Sequence, residues 1–167
     1  MADNEADTAR QGGEQKTIQP QKFYLKDVSF ETPNSPRIFT KKWVPEIQIE
    51  FQNSASAIDT DLYEIVVTLT VTTAVEGETA YLAEVHQAGI FVMRGFDPQD
   101  LHMKQNVYCM RLLYPYASAA VSDLVTRGGF PQLLLSPLNF EKMYFDRVNR
   151  TSEQATGEGE QSDPQQA

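Results

Sequence analysis

The chain has 167 residues, which is enough for one domain with a hydrophobic core. Its formal net charge of −9 argues against nucleic acid or an anionic membrane as a partner, because neutralising phosphates requires Lys and Arg. The single cysteine, Cys109, excludes an internal disulfide framework, and the polar N-terminus lacks the pattern of a signal peptide. We therefore expect a cytoplasmic protein.

Both ends of the chain are polar and acidic. Residues 1–17 and 151–167 contain too little apolar area to offset the entropy lost on ordering, so we predict that both are disordered. The folded domain is then expected over residues 18–150. For the C-terminal tail, a solvating role and a partner-docking role both remain open.

Four segments alternate apolar and polar residues in the manner of β-strands, and they span residues 22–31, 46–52, 62–75 and 79–93. The short turns between neighbouring segments favour antiparallel pairing, and the Thr-rich faces indicate that one side of the sheet is not core. Gly89 predicts a bulge or bend.

Simple alternation along the first segment puts Asp27 on the same face as Phe23 and Glu31, and puts Val28 on the opposite face. Residues 32–45 contain three prolines, so they form a long connection that carries apolar anchors.

Helical spacing follows the strands. Asp97 and Pro98 predict an N-cap and the first helical position. The two glycines after Arg127 predict the end of this helix, and Pro115 predicts a kink or break within it. A second helix is predicted from about Asn139. Four strands followed by two helices predict an α+β fold, with both helices on one face of an antiparallel sheet.

The sequence offers no catalytic or metal-binding arrangement. Phosphate-binding and dinucleotide-binding glycine motifs are absent. His86, His102 and Cys109 are candidate metal ligands, but they lack paired spacing. Cys109 and His102 would lie two turns, or about 10 Å, apart on one helix, too far for a nucleophile and its base. We therefore predict a non-enzymatic protein without a cofactor or metal.

The apolar side chains of residues 127–145 are the remaining signal. Together with those of the first connection, they exceed what one short helix can cover. Core packing, an oligomer interface and a binding groove all remain open from composition alone.

Four stretches resemble the SecB family of protein-export chaperones. They are KDVSFETPNSPRIF, DLYEIVVTLTVT, ETAYLAEVHQAGIF and LLYPYASAAVSDLVTRGGFPQLLLSPLNF. The resemblance covers residues 22–148. It implies a cytosolic homotetramer, a dimer of dimers, that binds unfolded precursor proteins and delivers them to the SecA motor. It also implies no catalytic residue, nucleotide or metal.

The resemblance assigns residues to three surfaces. The client-binding groove is expected to contain Phe39, Trp43, Ile47, Ile49, Phe51, Phe140, Tyr144 and Val148, with the last helix as a movable lid. The SecA-binding face is expected to contain Asp27, Glu31, Leu82 and Glu84. Inter-subunit contacts are expected around Ala83, Val85 and Gln87.

Two other functions are open at this stage. SecB-like proteins can be chaperones dedicated to the antitoxin of a toxin–antitoxin system. An enzyme or small-ligand carrier could also use an apolar groove, but the sequence offers no set of polar residues to orient a small molecule.

Overall fold

A four-stranded antiparallel sheet carries helices on one face in the computed structural model, which describes residues 15–157 and the side chains of residues 15–152. The strands are β1 (Thr17–Glu31), β2 (Pro45–Asp59), β3 (Leu62–Val75) and β4 (Glu78–Arg94), in the spatial order β1-β4-β3-β2. The helices are α1 (Pro98–Asn106), α2 (Tyr108–Arg127) and α3 (Phe140–Gly157), with a 3-10 turn at Arg37–Thr40. The α+β prediction is confirmed, with three helices in the described residues instead of two.

The core lies between the sheet and α2. Alternate residues of β3, such as Leu69 and Val71, are fully buried, as are Leu113 and Val121 of α2. The intervening Thr-rich face of β3 is only half-buried. That distribution confirms the prediction that one side of the sheet is not core.

A bulge in β1 changes which residues face the helices. The register with β4 shifts between Leu25 and Asp27, and the side-chain amide of Gln87 donates to the carbonyl of Tyr24 at 2.9 Å. Beyond the bulge, Val28 lies on the helix side and Asp27 on the open side. Simple alternation, which put Asp27 on the face of Phe23, is therefore wrong at this point.

Gly89 does not mark a bulge, because it pairs in register with residues of β1 and β3. A Cβ at this position would lie 2.7 Å from the ring of Phe91 and 2.9 Å from Leu113. Close packing, and not a bend of the strand, therefore requires glycine.

The start of α1 and the end of α2 agree with the sequence signals. The Asp97 side chain accepts a hydrogen bond from the backbone N–H of Asp100 at 2.9 Å, and Pro98 occupies the first helical position. After Arg127, the N–H of Gly128 bonds to the carbonyl of Leu124 at 2.8 Å. A Cβ on Gly128 would lie 2.3 Å from the Phe30 ring.

Of the kink or break predicted at Pro115, the break is wrong. The interruption lies at Val107, where φ is −117°, and α2 continues through Pro115. Pro115 and Arg111 are both exposed, so water can bond the Arg111 carbonyl that Pro115 leaves without its helical donor.

Helix α3 starts where Asn139 predicted it, with the Asn139 side chain accepting from the N–H of Lys142 at 2.9 Å. It continues to Gly157, seven residues past the expected boundary at 150, because each added residue of an existing helix gains a backbone hydrogen bond. Residues 1–14 and 158–167 of the segments expected to be disordered lie outside the described residues. No helix within residues 15–157 is long and apolar enough to cross a bilayer.

Candidate functional site

An apolar groove lies between β2 and the segment that joins α2 to α3, residues 131–139, which we call the connecting wall. Ile47, Ile49 and Phe51 of β2 form one side, and leucines of the connecting wall form the other. The groove has a volume of about 390 Å³. Ile49 is 51% exposed and Leu134 is 76% exposed, so the groove is open to solvent.

Hydrogen bonds to α2 hold the connecting wall in place. The Tyr114 hydroxyl donates to the Ser136 carbonyl at 2.7 Å, and the Gln132 amide donates to the Ser122 hydroxyl at 3.1 Å. These bonds satisfy polar groups of an irregular segment. The leucine side chains of the connecting wall face the groove.

Aromatic packing joins the two sides of the groove at one end. Phe130 directly precedes the connecting wall, and Trp43 lies two residues before β2. Their ring centroids are 5.6 Å apart, and Phe39 lies 4.9 Å from Phe130. The expected groove residues Phe39 and Trp43 therefore form the end of the groove and do not line its cavity.

Phe140 closes the opposite end. It is buried, with ring centroids 5.6 Å from Phe51 and 5.5 Å from Tyr114. Phe140, which was expected to line the groove, is therefore a core residue.

The structure places Tyr144 and Val148 away from the groove cavity. The Tyr144 hydroxyl lies 3.1 Å from Nδ1 of His102, so Tyr144 fastens α3 to α1. Val148 is exposed one turn further along α3. An ion pair of 2.9 Å between Arg111 and Glu141 also holds α3 against α2. In this arrangement α3 packs on the other helices and contributes Met143 to the groove, whereas Tyr144 and Val148 do not line it.

Several groove residues were not predicted as such from the sequence. They are Leu133, Leu134, Leu135, Leu138, Tyr114 and Met143. The available signal was a run of three leucines between Pro131 and Pro137. Prolines at this spacing exclude a regular helix or strand, and a leucine run in an irregular segment indicates a surface that needs an apolar partner.

The residues expected at the SecA-binding face come together on the open side of the sheet. β1 and β4 are neighbours there, with Glu31 directly opposite Leu82 and Asp27 opposite His86. Glu84 lies between these two positions on β4, on the same face. Within residues 15–152, neither Asp27 nor Glu31 forms an ion pair, so this face keeps a negative charge.

Two further networks occupy the open face. The Glu84 carboxylate accepts from His86 Nε2 at 2.7 Å and from the Thr70 hydroxyl at 3.0 Å. These bonds, the His86 bond foremost, lower the pKa of Glu84 below its ordinary value. On β3, Glu64 accepts from Lys26 at 2.7 Å and from the Tyr24 hydroxyl.

The negative charge of Glu64 is neutralised by Lys26 of the same chain. The Lys26 bond, followed by the Tyr24 bond, lowers the pKa of Glu64. Donation to this carboxylate raises the pKa of Tyr24 to about 12. Because Glu64 is already paired, the free negative charge of the open face lies on Asp27 and Glu31 of β1, beside Glu84 of β4, and on Glu46 and Glu50 of β2 at the other edge.

The three candidate metal ligands lie apart. His86 belongs to the Glu84 network, His102 packs on Tyr144, and Cys109 is buried beneath the helices. Burial raises the pKa of Cys109 to about 12, which disfavours its nucleophilic thiolate. No group of three His, Cys, Asp or Glu side chains within residues 15–152 is arranged to hold a metal ion.

Comparison with known families identifies the chain. The sequence profile of the family described as "Preprotein translocase subunit SecB" matches residues 11–151. The chain belongs to the SecB family. The resemblance inferred from the four sequence stretches is thereby confirmed.

Relatives of this SecB chain match over most of their length. The protein-export protein SecB of Methylococcus capsulatus is 46% identical over 135 residues, covering 81% of this chain and 87% of the relative. The protein-export protein SecB of Marinobacter nauticus is 36% identical over 161 residues, covering 96% and 98% respectively.

A solved structure has the same fold as this SecB chain. The SecB-like chaperone of Mycobacterium tuberculosis, in complex with a ChAD peptide from the HigA1 antitoxin, superposes with a TM-score of 0.62. The match covers 73% of this chain and 91% of that one at 18% identity, so it shows the fold alone.

The residues expected at the SecB subunit interface lie inside the protomer. Ala83, Val85 and Gln87 are all buried on the helix side of β4. Gln87 bonds the carbonyl of Tyr24 at the bulge of β1. A second subunit cannot touch these residues while α2 is in place, so any effect of theirs on assembly would be indirect.

Proposed function

We propose that this SecB protein binds unfolded precursor proteins in the cytoplasm, keeps them competent for export and delivers them to SecA. Its membership of the SecB family makes it a chaperone of the Sec export pathway. The single observation that carries the client-binding part is the open apolar groove between β2 and the connecting wall. Exposed apolar surface of this kind marks an interaction site.

The chemistry of the groove suits segments of many sequences. Among its lining residues, only Ser136 and Tyr114 carry side-chain polar atoms, and the Tyr114 hydroxyl is already bonded to Ser136. Burial of a Leu or Ile side chain contributes about 1.5–3 kcal/mol, so a few client side chains are enough for capture without specific hydrogen bonds. A small-ligand carrier would need convergent polar groups to orient its ligand.

The open sheet face supports the delivery part of the proposal. Asp27, Glu31 and Glu84 lie on adjacent strands, beside the apolar Leu82. An acidic face of this kind complements a basic segment of SecA and speeds encounter by electrostatic attraction. Since this face and the groove lie on opposite sides of the sheet, client and motor can be bound together.

The alternative client is the antitoxin of a toxin–antitoxin system. The mycobacterial chaperone supports this alternative only through its fold. Relatives at 36–46% identity that carry the name protein-export protein favour the export role instead. A toxin–antitoxin pair encoded beside this gene would support the alternative.

We further propose that the protein assembles as a homotetramer, a dimer of dimers. Support comes from the exposed apolar residues at the β1 edge of the sheet, Leu25 and Val28, and from exposed Tyr116 on α2. The Phe23 ring, also on β1, packs 5.2 Å from Tyr116, so the two elements form one continuous surface.

A crossed binding experiment tests the proposal. Ile49→Ser should weaken capture of an unfolded precursor by roughly tenfold, because an apolar contact worth over 1 kcal/mol is lost. The same variant should bind SecA as the wild type does. Asp27→Lys combined with Glu84→Lys should weaken SecA binding and leave precursor capture unchanged. Both affinities are measured by titration with fluorescence or calorimetry.

The matched control is Ile58→Ser. Ile58 lies on the same strand and is 52% exposed, against 51% for Ile49, but it does not line the groove. It should leave precursor capture unchanged. If Ile49→Ser and Ile58→Ser lose the same affinity for the precursor, the groove is not the client-binding site. If the double lysine variant loses affinity for the precursor as much as for SecA, the acidic face is not a specific SecA-binding site.

A further inference from the structure

Glu84 is the most constrained of the three acids expected to meet SecA. Its Oε1 accepts from His86 Nε2 at 2.7 Å and its Oε2 accepts from Thr70 Oγ1 at 3.0 Å. Within residues 15–152, Asp27 and Glu31 have no side-chain hydrogen bond of this kind. One of the three acids is therefore held in a single orientation while the other two are free to adjust.

The hydrogen bonds of His86 define the tautomer of its neutral ring. Donation from Nε2 to a carboxylate places a hydrogen on that nitrogen, so Nδ1 is the acceptor. Nδ1 lies 3.5 Å from the hydroxyl of Thr68, which can donate to it. His86 is therefore positioned between Glu84 and Thr68.

The surroundings of His86 on the open face are mostly acidic. Asp27 lies opposite it on β1, and Glu84 shares its strand. Lys26 of β1 is paired with Glu64 of β3. No helix within residues 15–152 packs on this face, so a partner can reach Glu84 directly.

We propose that His86 and Thr70 are positioning residues that hold the Glu84 carboxylate ready for a basic segment of the partner. This inference rests on the proposed SecA-binding role of the open face. A carboxylate fixed before docking loses less side-chain freedom on binding.

The test compares the affinity of purified SecA for the wild type, His86→Ala and His86→Gln at one fixed pH. His86→Ala removes the hydrogen bond to Oε1 of Glu84 and should weaken SecA binding about two- to fivefold. His86→Gln should restore the affinity, because a glutamine amide can also donate to Glu84. A wild-type affinity in His86→Ala would overturn the proposal.

A further variant tests the second hydrogen bond of Glu84. Thr70→Val should also weaken SecA binding, because it removes the bond to Oε2 and changes no charge. A wild-type affinity in Thr70→Val would show that the threonine does not position Glu84.

A readout without SecA keeps the inference distinct from the proposed function. In a carbon NMR titration of glutamate carboxyls, the Glu84 midpoint should lie below that of an ordinary glutamate. It should return towards the ordinary value in a His86→Ala, Thr70→Val double variant. An unshifted midpoint in the wild type would overturn the positioning alone, whereas a wild type that fails to bind SecA would overturn the docking role and the inference with it.

Discussion

Phe130 is the residue at which the core and the groove meet. Its ring lies 4.9 Å from Tyr81 on the sheet and 5.6 Å from Trp43 before β2. It is 6% exposed, whereas its neighbour Phe39 is 50% exposed. Because the connecting wall starts at the next residue, the position of the wall depends on how firmly this one ring is packed.

Replacing Phe130 by alanine should therefore lower the free energy of unfolding by about 3–5 kcal/mol, as expected when a buried phenylalanine leaves a cavity. Phe39→Ala removes a half-exposed ring of the same cluster and should cost clearly less, about 1 kcal/mol. Urea denaturation at one fixed protein concentration measures the free energy of unfolding of both variants, since the proposed assembly would contribute to the apparent stability. Similar losses in the two variants would mean that Phe130 is not the anchor of the cluster.

At the residue scale, sequence reasoning succeeded where a side chain acts through its near neighbours. The cap at Asp97 and the stop at Gly128 depend on backbone groups a few residues away, and both were predictable. The face occupied by Asp27 was not, because the β1 bulge is supported by Gln87, some 60 positions away in the chain. The alternation of apolar and polar residues gives no information about a contact between residues so far apart in the chain.

At the element scale, the alternation of apolar and polar residues predicts β3 and β4 almost to their ends. β2 was predicted only to residue 52, yet it continues to Asp59. Residues 53–59 have no clear apolar alternation, and their strand conformation comes from pairing with β3. The connecting wall was predicted as a loop, but its role as a groove side depends on Phe130, Tyr114 and α2, which only the folded chain brings together.

The elements should also differ in local stability. α2 places Leu113, Ala117 and Val121 in the core, whereas side chains of α3 from residue 145 to residue 152 are exposed. We expect backbone amides of residues 145–157 to exchange with deuterium at least about tenfold faster than those of residues 110–125, because few tertiary contacts oppose their opening. Hydrogen exchange followed by mass spectrometry measures this difference, with peptides from β3 as a slow reference. Equal protection along both helices would indicate a contact over α3 that the protomer lacks.

At the scale of the whole molecule, the sheet has two free edges, β1 and β2. An exposed strand edge pairs readily with another chain unless it is covered or interrupted. The β2 edge borders the groove, where extended client segments are expected. The β1 edge carries exposed Leu25 and Val28, and exposed Tyr116 of α2 packs on Phe23 of the same strand. A second subunit is the occupant that we propose for this edge.

Introducing charge at the β1 edge should therefore break the assembly. Sedimentation velocity should show a tetramer for the wild type at micromolar concentration and smaller species for Leu25→Lys combined with Val28→Lys, because buried unpaired lysines are unfavourable at an interface. Ile58→Lys adds one such charge to a residue of similar exposure on the opposite edge, and it should remain tetrameric. The double variant must keep the circular dichroism spectrum of the wild type, so that dissociation is not confused with unfolding. A wild type that sediments as a monomer would refute the assembly, and dissociation by Ile58→Lys instead would move the subunit contact to β2.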